Sequence, residues 1–113
     1  MRAKTLMIAT ALAMTVSARA EQPEEPFLVL SFGMSTCGTF VRSDRNTKEL
    51  YLGWAVGFIT GLNRRASGRD RYAGQGWERN ASLVWLENYC TQNPLAPFIA
   101  AAEHLRDALS DRS

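Results

Sequence analysis

From residue 47 onward, apolar positions recur at intervals of three and four, the spacing of helices that bury one face. Tyr51, Trp54, Ala55, Phe58, Ile59 and Leu62 follow it and predict a helix from about Thr47 to Ala66. Asn46 can cap its amino end, and Glu49, three residues on, can answer as in a capping box. Arg64 and Arg65 suit the carbonyl end of the helix dipole, and Gly68 can close it. A shorter helix is expected over Ser35–Arg42, where Cys37, Phe40 and Val41 fall at helical spacing. A third starts with Asn80 as cap and runs to about Gln92, burying Leu83, Leu86, Tyr89 and Cys90. Asn93-Pro94 then stops it and opens a fourth, with Asn93 as cap, Pro94 at the first helical position and Pro97 in the first turn. Leu95, Phe98, Ala102, Leu105 and Leu109 give this helix one apolar face as far as Ser110. The expected fold is a small all-α bundle of about four helices.

Two features interrupt the pattern. Gly53, Gly57 and Gly61 lie on one face of the second helix, where each glycine costs about 1 kcal/mol relative to alanine. Close approach of another element would compensate, which makes them a candidate helix-packing face, within the domain or across a dimer. From Ser67 to Arg79 the chain is a polar, glycine-punctuated loop. Arg69, Arg71, Tyr72 and Trp77 are its candidate partner-binding residues, because rigid aromatics and arginine anchor binding surfaces. A connector whose aromatics lid the core is the other reading of this loop.

Composition changes the picture at the amino end. Arg2 and Lys4, an apolar stretch from Thr5 to Val16, and Ala18-Arg19-Ala20 have the organisation of a cleaved secretory signal over residues 1–20. A flexible leader with a short apolar segment, Phe27-Leu-Val-Leu30, is expected over 21–34, and the helical domain over 35–113. The formal charge of the whole chain is +2. Removing Arg2, Lys4 and Arg19 from its thirteen cations leaves ten against eleven carboxylates, so the 93-residue mature chain carries −1. Such a chain has no electrostatic reason to bind nucleic acid, and no apolar run of 18 residues is present to span a bilayer.

Candidate chemistry is sparse. Export would place Cys37 and Cys90 in an oxidising compartment, where two thiols pair. One histidine and two cysteines are too few for a metal cage, and neither a phosphate loop nor any other cofactor motif is found. His104 has Asp107 within helical reach but no nucleophile, and it falls off the apolar stripe. A non-enzymatic protein is expected.

Cys37-Gly-Thr-Phe40, the stretch from Trp54 to Gly61, and Tyr89-Cys-Thr-Gln-Asn-Pro94 followed by Phe98 together resemble the HdeA/HdeB family of periplasmic acid-stress chaperones. The likeness runs from about Ser35 to Leu109. It implies a Cys37–Cys90 disulfide, an all-α fold, and a homodimer that dissociates in acid and uncovers apolar surface for unfolding clients. In strong acid the mature chain would carry about +12, which keeps such complexes soluble. Nine of its ten cations are arginine, which favours bidentate carboxylate contacts. In size, leader and helical pattern the chain is also similar to the immunity proteins that neutralise type VI secreted peptidoglycan amidases. That second resemblance implies a protein partner plugged by the arginine-rich loop.

Overall fold

The computed structural model describes residues 26–110, so the expected signal over 1–20 and the start of the leader lie outside the described residues. Four helices follow in chain order: α1 (Cys37–Arg42), α2 (Arg45–Arg65), α3 (Arg79–Gln92) and α4 (Phe98–Ser110). Single 3-10 turns precede α1 (Ser31–Met34) and follow α2 (Gly68–Tyr72). The all-α expectation holds, and the described residues contain no β-strand, only an isolated bridge between Thr36 and Pro97.

Each helix begins one or two residues from the expected cap, except α4, which begins five after Asn93. Thr36 caps α1 by accepting from the Thr39 amide at 3.2 Å. Asp44, not Asn46, caps α2: its carboxylate accepts from the Thr47 amide at 2.8 Å. That frees Glu49 from the expected capping box for ion pairs with Arg45 and Arg79. Glu78, not Asn80, caps α3 by accepting from Asn80 and Ala81. Residues 94–97 are not helical. Their carbonyls turn to α1 instead, Ala96 accepting from the Cys37 amide at 2.8 Å and Pro94 from Gly38 at 2.9 Å. Phe98 returns a bond to the Ser35 carbonyl at 2.7 Å. Two of the orphan amides that start α1 are therefore satisfied by the connection into α4. Leu95, expected on the apolar face of α4, is consequently 90% exposed.

The core forms where α1, α2 and α4 meet. Phe40, Tyr51 and Phe98 stand in mutual ring contact, with centroids 4.8 to 5.2 Å apart, and Phe32 of the first turn closes on Tyr51 at 4.5 Å. Leu52, Ala55, Ile59, Leu83, Leu86, Ala101, Ala102 and Leu105 extend this cluster along the bundle. The Cys37–Cys90 disulfide, with its Cα atoms 4.7 Å apart, ties α1 to α3 inside it. Closing a loop of 53 residues restricts the unfolded chain by about 4 kcal/mol in the chain-entropy treatment.

The glycine face of α2 does not pack within the domain, which corrects that one of its two readings. A Cβ built at Gly53, Gly57 or Gly61 meets nothing within 4 Å, so no element of the domain packs closely on them. The glycines that the packing requires are others. A Cβ on Gly33 would lie 2.4 Å from the Trp54 ring, and one on Gly38 would lie 3.2 Å from the Pro94 carbonyl oxygen. In equilibrium urea unfolding, Gly57→Ala is expected to stabilise the protein by up to about 1 kcal/mol through helix propensity alone. Gly33→Ala is expected to destabilise it, because the Trp54 ring must move.

Candidate functional site

Three surface regions remain once the core is placed: a strap over an aromatic groove, the arginine-rich loop, and an ionic junction between α2 and α3. The strap is Phe27–Leu30, an extended stretch packed across Trp54, Phe58 and Ile99, with a cleft of about 200 Å³ between them. Trp54 and Phe58, one helical turn apart on α2, stack with centroids at 5.4 Å and rings nearly parallel. Val29 is half-buried, whereas Phe27, Leu28 and Leu30 are each more than 60% exposed. The strap thus covers the groove while presenting apolar side chains to solvent. Met34 and Leu50 add further exposed apolar surface.

The loop is more ordered than its composition implies. Successive backbone bonds from Ala73 to Asp70, Gln75 to Tyr72 and Trp77 to Gly74 wind residues 70–77 into tight turns, with Gly74 and Gly76 at φ of +90° and +84°. At those angles a side chain would be strained. Two residues latch it to the bundle. Asn63 of α2 donates through Nδ2 to the Ala73 carbonyl at 2.9 Å and accepts at Oδ1 from Arg106 Nε of α4 at 3.0 Å. Arg106 Nη2 donates onward to the Asp70 carbonyl at 3.0 Å. Neither residue stands out in the sequence, because their partners lie up to 43 positions away.

Of the four candidate partner-binding residues, Arg71, though exposed, folds back along the chain: Nη1 donates to the Arg64 and Ala66 carbonyls and closes the end of α2, in place of Gly68. Arg69 and Tyr72 are exposed, and Trp77, 44% exposed, leans over Val56, Ile59 and Leu109. The structure does not gather the four into one site. His104 is exposed, with Nδ1 3.0 Å from the Ala100 carbonyl and its ring beside Tyr89.

At the α2–α3 junction carboxylates do most of the holding. Glu49 receives both Arg45, one turn back on α2, and Arg79 at the start of α3. Glu87 of α3 pairs with Lys48 of α2 at 3.3 Å. Asp44 and Glu78 cap the two helices from the same end. The Thr47 amide and hydroxyl hold the Asp44 carboxyl below its usual pKa, and the Ala81 and Asn80 amides do the same for Glu78.

Among the described residues no cluster of His, Cys, Asp or Glu could hold a metal ion, and no helix is long and apolar enough to cross a membrane. The comparison that decides kinship is with protein families: the HdeA/HdeB model matches residues 4–100. The chain belongs to the HdeA/HdeB family. No curated protein and no solved structure matches it. Within this HdeA/HdeB chain the motifs Cys37–Phe40 and Tyr89–Pro94 have a shared physical role. They bring the disulfide, the α1 cap and the elbow into α4 to one place.

Lowered carboxyl pKa values give the caps a definite pH sense. Their contribution is complete above the ordinary carboxylate range and is lost as pH falls through the depressed folded values. Asp44→Asn with Glu78→Gln keeps acceptors but removes that charge. Urea unfolding should find the double variant less stable than the parent at neutral pH, with a smaller further loss between about pH 5 and about pH 2.

Proposed function

We propose that this protein is a periplasmic chaperone that holds unfolding clients under acid stress. The observation that carries the reading is the division of labour between its stabilising contacts. Two of the seven carboxylates in the described residues, Glu49 and Glu87, pair across α2 and α3, and two more, Asp44 and Glu78, cap those same helices. The disulfide and the Phe40–Tyr51–Phe98 cluster contain no carboxylate.

Acid acts on the first set and spares the second. Protonation cancels both ion-pair links between α2 and α3 and neutralises both caps, leaving Arg45, Lys48 and Arg79 as uncompensated like charges. Repulsion then loosens α2 from α3 while the covalent bond keeps α1 and α3 together. The groove of Trp54, Phe58 and Ile99 under the Phe27–Leu30 strap, between α2 and α4, is the apolar surface proposed to receive a client. Family membership and the signal-like residues 1–20 support export to the periplasm. A homodimer that covers apolar surface at neutral pH and separates in acid completes the proposed cycle.

The mature protein should suppress aggregation of an acid-denatured client, followed by light scattering, at about pH 3 and not at pH 7. Equal effect at both values, or none at either, would sink the reading. Sedimentation at the same two values tests the dimer.

A second reading, neutralisation of a secreted peptidoglycan amidase, is favoured by the outward Arg69, Tyr72 and Trp77. It requires one stoichiometric partner bound at neutral pH. In a pull-down from the cell envelope, that partner should disappear when Arg69, Arg71, Tyr72 and Trp77 are all replaced by alanine.

A further inference from the structure

Beneath the turns of residues 73–78, at the end of the bundle away from the strap, two clefts adjoin. One, of about 110 Å³, is bounded by Val56, Ile59, Ala73 and Trp77; the other, of about 160 Å³, by Ala81, Trp85 and Ala108. Ser82, Leu105 and Leu109 border both. Ser82 is 2% exposed, and its Oγ is the one buried side-chain polar atom among the described residues with no hydrogen-bond partner.

That hydroxyl has an obvious way to be satisfied and does not take it. Ser43, Thr60 and Ser110 each donate to the carbonyl four residues back, at 2.8 Å. Ser82 makes no such bond, although burying a hydroxyl unpaired costs about 1 to 3 kcal/mol. An unpaired donor and acceptor against two mainly apolar clefts is the arrangement of a binding site, with few polar groups fixing an apolar ligand.

We propose that this cleft binds a small neutral molecule, one ring or an alkyl group of similar size, bearing a single hydroxyl that pairs with Ser82 Oγ. Size follows from volume, since an apolar cavity of about 150 Å³ accepts benzene. Neutrality follows from the walls. The only ionisable lining group is Glu78, whose carboxylate accepts from the Asn80 and Ala81 amides, and no lysine, arginine or histidine is there to hold an anion. The roof is held in place by the Asn63 bond to Ala73, so the site is formed before any ligand arrives.

The test uses the mature, oxidised protein at neutral pH and is independent of the acid-chaperone reading. Phenol and its hydroxyl-free counterpart toluene are titrated while 1H–15N shifts are followed at Ser82 and at the Trp77 and Trp85 indoles. Saturable shifts at these positions are expected. In Ser82→Ala the ratio of phenol to toluene affinity should fall by about two- to tenfold, the value of one neutral hydrogen bond. The same variant should melt no lower than the parent, because it loses an unpaired hydroxyl and gains helix propensity. Absence of saturable shifts, an unchanged ratio, or a lower melting temperature for Ser82→Ala overturns the proposal. The last result would make Ser82 a structural residue, paired by water or backbone.

Discussion

Everything in this fold passes through the first turn of α1. Cys37 is bonded covalently to α3, its amide donates to Ala96, and the next amide donates to Pro94. Three residues on, Phe40 enters the aromatic cluster with Tyr51 and Phe98. A six-residue helix has too little internal hydrogen bonding to persist alone. It exists because distant parts of the chain satisfy its amides and bury its ring. In return it fixes where α3 ends and where α4 begins.

This node also separates the structure into parts of different chemical character. Around it the contacts are covalent, aromatic and backbone hydrogen-bonded, none of which titrates in the acid range. Farther out, α2 and α3 are linked by carboxylates paired with arginine and lysine, and each is capped at its own amino end by a carboxylate. Exposed ion pairs contribute little each at neutral pH, so their importance lies in acting together at one junction. A fall in pH therefore has a place to act, and the disulfide sets how far the response can go.

What the sequence makes legible is whatever depends on neighbours along the chain. The 3.6-residue periodicity gives the four helices in order, and the two cysteines, expected to pair, do so. Cap positions shift by two residues because Asp44 and Glu78 outcompete Asn46 and Asn80, carboxylates being stronger acceptors for amides than side-chain amides. Larger departures are all non-local. Pro94–Pro97 reads as a helix start until α1 claims its carbonyls, and Leu95 goes to solvent as a result. Gly33 and Gly38 look ordinary until Trp54 and Pro94 are brought against them. Asn63 and Arg106, which latch the loop, are unremarkable polar residues in sequence because nothing local shows what they will meet.

The bare glycine face of α2 has a consequence for how the protein comes apart. With no other part of the domain within 4 Å of a Cβ at Gly53, Gly57 or Gly61, the longest helix forgoes about 3 kcal/mol of intrinsic helicity relative to alanine at the same sites. Its order is borrowed from Tyr51, Leu52, Ala55 and Ile59 on the opposite face. A helix stabilised mainly from outside melts when its docking fails and does not persist as a free rod. α2 therefore keeps its helical form only as long as it stays docked on the core through that face.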